Sequence, residues 1–396
     1  MKRFFIITIA LIILLIGGTF AYAKVFRPSI NSSHKEDTVV PTTTIAPEPP
    51  KPIVTHIQTP TPVKAVYMSS WVAASPKPYQ HVLELIEKTE INAVVLDIKD
   101  ATGRISFLTD ESLVQQTGSP ENRIKDIVGL IQQLHAKNIY VIGRISTFQD
   151  PYLTKVKPGW AITRKSDGTV WKDRKGLSFL DPANTDVWEY TRALAQASYN
   201  VGFDEINFDY IRYPSDGNVK DINYKLAEGQ TRADNMEKFY AFLYQRLHIE
   251  SSIPISADLF GLTTSEKTDM GIGQILERAL PYFNFIGPMV YPSHYAKGEY
   301  GVAKPAENPY TIVLRAMQDA EKKITALKND PNLPQEFKDR VSFQQIRPWI
   351  QDFDMGAIYD KEKVQAQMKA VYDSGLTSWM MWDPSNKYTP EAYALE

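Results

Sequence analysis

From Val63 onward, short runs of apolar residues with a period of two alternate with longer stretches whose apolar positions recur at helical spacing. Strands are predicted at 63–70, 93–99, 139–146, 205–211, 254–260, 283–291, 345–352 and 377–382. Helical patterns fill 79–89, 123–137, 185–199, 224–249, 273–280, 310–327 and 361–374 between them. Regular alternation of this kind points to parallel strands joined by helical crossovers. Eight strands over residues 63–396 fit an α/β fold closed as a (β/α)8 TIM barrel better than an open doubly wound sheet. No Gly-rich phosphate loop follows the first strand, which also argues against the open sheet. Few residues follow the eighth strand, so the last helix is expected to be short or missing.

The chain ahead of this pattern divides in two. Lys2 and Arg3 precede an apolar run from Phe4 to Ile16, and Ala21-Tyr22-Ala23 matches the small-x-small site of a cleaved signal peptide. Phe4 to Ala23 is also just long enough to span a bilayer as a helix. Residues 1–23 are therefore expected to act as a signal peptide or a membrane anchor. In both cases the basic N-terminus stays inside and the rest is exported, to the extracellular space or the outer face of the cytoplasmic membrane. Residues 24–62 are rich in Pro and Thr and poor in bulky apolar residues, the composition of an extended linker. Residues 63–396 form the expected catalytic domain.

The stretch Asp204-Glu-Ile-Asn-Phe-Asp-Tyr-Ile-Arg-Tyr-Pro214 holds the most chemistry. Glu205, Asn207 and Asp209 alternate with Ile206, Phe208 and Tyr210, so Asp209 falls near the carboxyl end of the fourth strand. That end is where a (β/α)8 barrel carries its catalytic groups. A carboxylate turned into the barrel is costly unless it is paired or used. The other strand ends repeat the theme. The second places Asp97 and Lys99 on one face with Val95, and the third supplies Arg144 and Ser146. The fifth sets Asp258 opposite Ile255, Ala257 and Leu259, and the sixth runs on to Tyr291 and His294. The seventh ends near Asp352 and the eighth at Trp382-Asp383. Charged groups converging on one rim point to a polar site rather than to a series of loop caps.

Composition narrows the classes. Net charge is −2 with both signs mixed along the 396 residues, which gives no electrostatic case for nucleic acid. Cysteine is absent, excluding disulfides, thiolate catalysis and Cys-based zinc sites. The six His residues are scattered, no EF-hand-like loop occurs, and no Gly-x-Ser-x-Gly elbow is present, so neither a metal, a cofactor nor a nucleophilic serine is expected. The 21 Tyr and 7 Trp suit a sugar cleft or an ordinary large core. The long segment 149–181 after the third strand is expected to roof the site, with Trp160 and Trp171 as candidate sugar platforms or loop anchors.

Lys64-Ala-Val-Tyr-Met68, Val95-Leu-Asp-Ile-Lys99, Leu180-Asp-Pro-Ala183, Phe208-Asp-Tyr-Ile-Arg-Tyr-Pro214 and Trp379-Met-Met-Trp-Asp383 resemble a bacterial family of glycoside hydrolases. That family is exported, barrel-shaped and distantly related to the α-amylase-type barrels, and the resemblance covers roughly 63–386. It implies hydrolysis of an extracellular or cell-wall polysaccharide. In α-amylase-like barrels the nucleophile is an Asp ending the fourth strand, the acid a Glu ending the fifth, and a further Asp follows the seventh. The matching positions here are Asp209, Asp258 and Asp352. Asp258 stands where the wider group has Glu, shortening the reach of the acid by one methylene, about 1.5 Å.

Glycoside hydrolysis needs one carboxyl group to protonate the leaving oxygen and a second to attack the anomeric carbon or activate water. The working assignment makes Asp209 the nucleophile and Asp258 the acid/base. Arg144 or Lys99 would hold Asp209 ionised, and Asp97 would bind a sugar hydroxyl. Tyr291, His294, Asp352, Trp382 and Asp383 complete the expected substrate contacts. Two other readings stay open at this point: a carbohydrate-binding barrel without turnover, and a polysaccharide deacetylase or esterase.

Overall fold

The computed structural model describes residues 54–394, in which eight parallel strands close into a barrel in sequential order. They are β1 (Lys64–Met68), β2 (Ala93–Lys99), β3 (Tyr140–Ser146), β4 (Glu205–Asp209), β5 (Ile255–Phe260), β6 (Phe285–Met289), β7 (Trp349–Gln351) and β8 (Trp379–Trp382). Closure comes from β1 lying parallel to β8, with Ala65 opposite Met380. Every residue of β2, β3 and β4 is buried, because helices cover the outer face and side chains fill the inner one. Ala65, Val95, Ile142 and Met380 pack inside, whereas Val94, Leu96, Val141 and Phe208 face the helices.

Seven helices supply the crossovers: α1 (Pro76–Glu87), α2 (Ile127–His135), α3 (Thr185–Asn200), α4 (Arg232–Leu243), α5 (Leu276–Ala279), α6 (Pro309–Lys328) and α7 (Lys361–Asp373). Their starts are set by caps that apolar periodicity does not register. Asp126 caps α2, Asn184 caps α3, and Thr231 with Asp234 forms a capping box that starts α4 well after 224. The expected helix at 273–280 shrinks to the single turn of α5, since Gly273 takes φ +82° and Pro281 follows. β7 is likewise shorter than 345–352. Ser342 caps a 3-10 turn at Phe343–Gln345, and Pro348 has no N–H to donate to a ladder. After β8 there is only a 3-10 turn, Pro390–Ala392, and Tyr393 packs against Trp379 in place of an eighth helix.

Residues 1–53, which hold the expected export segment and most of the linker, lie outside the described residues. Among the described residues no helix is long and apolar enough to cross a membrane. Residues 54–62 do not continue as a free linker. Ile57 packs into the barrel interior and donates its N–H to Asp204, His56 stacks on Tyr199 at 3.9 Å, and Thr59 bonds to the Tyr140 hydroxyl.

The same floor of the barrel holds a buried ion pair. Arg347 donates to Glu205 at 2.9 Å, Tyr140 donates to the same oxygen at 3.1 Å, and the guanidinium lies over the Phe285 ring. The other carboxyl oxygen of Glu205 has no partner among the described residues. A buried pair of this kind adds little net stability, but losing one member strands the other charge. Glu205→Ala is therefore expected to cost about 3–5 kcal/mol in urea unfolding. Glu205→Ala combined with Arg347→Met should recover much of that loss, and an additive double variant would contradict the pairing.

Candidate active site

At the carboxyl ends of the strands a cavity of about 440 Å³ opens. Asp209 at the end of β4 and Asp258 on β5 both line it, with Arg144, Tyr210, Arg212, Tyr291, His294, Trp349 and Trp382. Ile206, Asn207 and Phe208 pair in parallel with Ile255, Ser256 and Ala257. Carried one residue further, that register sets Asp209 beside Asp258 on strands about 4.8 Å apart.

The two carboxyl groups are treated differently. Asp209 Oδ2 accepts from Arg144 Nη2 at 2.6 Å and Nε at 3.1 Å, and Oδ1 accepts from the Tyr210 N–H at 2.6 Å. This is a charge-assisted, two-pronged contact that compensates a buried negative charge. Asp258 has no cation of its own. Its Oδ1 accepts from Trp349 Nε1 at 2.8 Å and Asn207 Nδ2 at 3.0 Å, while Oδ2 has no partner among the described residues. Burial, followed by the nearby charge of Asp209, pushes Asp258 up to about 8. Divergent environments of this kind separate an acid from a base within one pair of carboxyl groups.

Small details of sequence make the arrangement possible. Gly287 on β6 leaves room for Asp258: a Cβ there would stand 2.7 Å from Asp258 Oδ1 and 2.6 Å from the Met380 methyl. Tyr210 takes φ +53°, a left-handed conformation rare outside glycine, directly after Asp209. Strand alternation stops there, and Tyr210 and Arg212 both reach the cavity. Aromatic walls close the opposite side. Trp382 stacks on Tyr67 at 4.0 Å, meets Trp349 edge-on at 5.5 Å, and has the Arg144 guanidinium 5.1 Å from its ring. Burial, then the charges of Asp258 and Asp209, raises Tyr291 well above its ordinary value, so it stays a hydroxyl donor. His294 sits at the rim, where partial burial lowers its proton affinity and favours the neutral ring.

Several expected contacts fall elsewhere. Lys99 points away from the cavity. The β2–β3 register slips after Asp97, pairing Asp97 with Arg144 but Lys99 with Ile145, so Lys99 turns toward the helix side. There it bonds Asp150 at 2.8 Å and the Thr147 carbonyl at 3.3 Å, fully buried. Asp97 stays near the site but behind it: Arg144 Nη1 at 2.6 Å and the Tyr67 hydroxyl at 2.6 Å occupy its oxygens. It holds Arg144 rather than a sugar hydroxyl. Asp352 faces outward, binding the Thr389 N–H and hydroxyl and the Tyr393 hydroxyl, and so ties down the C-terminal segment. Asp383 caps a turn by accepting from the Ser385 N–H. Trp171 is buried against Phe179 with its indole N–H on the Asn218 carbonyl, and Trp160 packs by Tyr190; neither lines the cavity. Trp349, Tyr210 and Arg212 were not expected there. Alternation through Trp349-Ile-Gln351 carried the signal for the first, whereas the other two depend on the backbone turn at Tyr210.

Comparison with known proteins bears on the family and the fold. A family model described as "Putative glycosyl hydrolase domain" matches residues 65–388. No curated protein matches the chain. A hypothetical protein from Ruminiclostridium thermocellum ATCC 27405 is 33% identical over 49% of this chain and 96% of its own, with a TM-score of 0.45. The PgaB (BpsB) glycoside hydrolase domain from Bordetella bronchiseptica is 12% identical, covering 85% of this chain and 99% of that one at a TM-score of 0.55. The α-galactosidase TtGalA from Thermus thermophilus is also 12% identical, covering 84% of this chain and 60% of that one at a TM-score of 0.50. The last two likenesses carry the barrel fold. With nearly all of the barrel matched by the family model, the chain belongs to this glycosyl hydrolase family.

Proposed function

We propose that the chain cleaves glycosidic bonds in an extracellular or cell-wall polysaccharide, with Asp258 as acid/base and Asp209 as nucleophile. One observation carries the reading: a cavity-lining carboxyl group raised to about 8, with Oδ1 occupied by two donors and Oδ2 open, next in register to a carboxylate forked by Arg144. The proton of Asp258 belongs on Oδ2, from which it can pass to the leaving oxygen. Asp209, compensated but not neutralised by Arg144, is then the group free to attack the anomeric carbon. The strand spacing supports a retaining route, which needs the carboxyl groups about 5–5.5 Å apart, over an inverting one at about 6.5–9.5 Å. In the second half, Asp258 takes a proton from water as that water releases the sugar from Asp209. Trp382, backed by Tyr67, offers an aromatic face to a sugar ring, and Tyr291 a hydroxyl. Action outside the cell is part of the proposal, resting on Lys2, Arg3 and the apolar run after them.

Release of reducing ends from a panel of α- and β-linked polysaccharides tests the reaction. Asp209→Asn should fall to background, and proton NMR of the first product should show the anomer of the substrate retained. An inverted product would replace the nucleophile by a water-activating base. The acid is tested by pH. Because Asp258 must be protonated, kcat/KM is expected to fall as pH rises through about 8. Asp258→Asn should lose about 10²–10⁴-fold on a natural glycan and much less on an aryl glycoside whose leaving group needs no proton. Full activity of this variant on both substrates would remove Asp258 from the mechanism.

Stability carries the same signature. The folded-state value of Asp258 is raised, so its neutral form favours the fold at low pH. That contribution is lost between about 4, its unfolded value, and about 8, its folded one. Asp258→Asn should therefore gain in Tm relative to wild type as pH rises across that window. Gly287→Ala should push Asp258 off its partners, lowering kcat more than it lowers Tm; an active Gly287→Ala enzyme would mean the carboxyl position is not critical.

A further inference from the structure

Arg212 has no counter-ion. It is 9% exposed, lines the same cavity as the two carboxyl groups, and makes no ion pair with any described residue. Nη1 donates to the Tyr213 carbonyl at 3.1 Å and the Ser215 hydroxyl at 3.3 Å, leaving Nε and Nη2 without an acceptor. Its guanidinium is walled by the rings of Phe260 at 4.8 Å, Tyr210 at 5.1 Å and Phe179 at 5.8 Å. Desolvation lowers its proton affinity despite the fields of Tyr210, Asp209, Asp216 and Asp173, and none of these three carboxylates forms an ion pair with it. A buried guanidinium is ordinarily paired, because an unpaired one is expensive. Here no carboxylate among the described residues takes the edge that faces the cavity.

The surroundings extend the same charge. Ser215, which accepts from Arg212, also lines a neighbouring cavity of about 460 Å³ together with Lys165, Lys220 and Arg232. Among the described residues Lys165 and Lys220 make no ion pair, whereas Arg232 is paired with Asp269 at 3.7 Å and Asp221 is taken up by the Ser166 N–H and hydroxyl.

We infer that the substrate is an acidic glycan, and that Arg212 is the residue that selects it by binding a carboxylate or phosphate oxygen on the sugar next to the scissile bond. This rests on the glycoside hydrolase reading above and names the substrate class for it. The guanidinium fork suits two oxygens of one anion, and its aromatic collar strengthens the contact by excluding water. Lys165 and Lys220 would receive further anionic groups along the same chain.

The test is binding, kept separate from turnover. Titration calorimetry would compare uronate oligosaccharides with their carboxyl-reduced, neutral counterparts, and phosphorylated with plain dextran oligosaccharides. The wild type should prefer at least one acidic member of a pair by roughly tenfold or more. The preference should shrink with added salt. Which pair shows it tells carboxylate from phosphate. Arg212→Gln should erase the preference while leaving neutral glycan binding in place, and Arg212→Lys should retain part of it. Thermal melts would confirm that both variants fold. Equal binding of acidic and neutral glycans, or a preference untouched in Arg212→Gln, overturns the inference. Charge-selective binding without reducing ends from any glycan would instead keep Arg212 in its role and remove the hydrolase reading.

Discussion

Everything at the mouth of the barrel is arranged around the Arg144 guanidinium. It is buried and survives burial because Asp97 and Asp209 take opposite edges of its fork at 2.6 Å each. Together with the Tyr67 hydroxyl on Asp97, this makes a ladder from β1 through β2 and β3 to β4. Buried charges held so closely are a poor source of net stability and a good source of fixed geometry. The ladder fixes where the Asp209 carboxylate lies. Asp258 is left as the uncompensated group of the pair, and its raised affinity for a proton follows from what Arg144 does not touch.

The floor of the barrel shows what the same chemistry does without access. Glu205 and Arg347 are as deeply buried as Asp209 and Arg144, Glu205 on the same strand as Asp209 and Arg347 just ahead of β7. Yet Ile57 packs at that end, and neither residue lines the cavity at the barrel mouth. Perturbed or paired ionisable groups therefore do not mark the site by themselves. The open Oδ2 of Asp258 and the open edge of Arg212 do, because both face space that a substrate can enter.

The fold was legible because every barrel strand carries buried apolar residues in short runs or in alternation, and all eight predicted strands overlap observed ones. Asp209, Asp258 and Arg144 could be placed because alternation holds without interruption up to each of them. Where alternation breaks, residue-level reading breaks with it. The slip after Asp97 carries Lys99 to the wrong side, and a one-residue change of register reverses every later side chain. Asp352 follows Gln351 outward for the opposite reason, since alternation continued there and the acidic residue was on the outer face. The caps that shorten α4 and α5 are local hydrogen bonds and backbone angles, to which hydrophobic periodicity is blind.

The left-handed turn at Tyr210 joins Asp209 to Arg212 at the cavity. A bulky residue at φ +53° costs on the order of 1–3 kcal/mol, and such strain persists only where surrounding contacts impose it. Those contacts are present: Asp209 Oδ1 takes the Tyr210 N–H, the Thr147 and Phe148 N–H groups take the carbonyls of Asp209 and Tyr210, and Lys99 holds the Thr147 carbonyl from behind. An extended backbone at Tyr210 would send the following residues on along the strand and carry Arg212 away from the cavity. The strained turn instead brings Arg212 to the same cavity as Asp209, so one stretch of chain delivers both a carboxylate and a cation to it. Lys99, absent from the cleft itself, serves the site by bracing this turn.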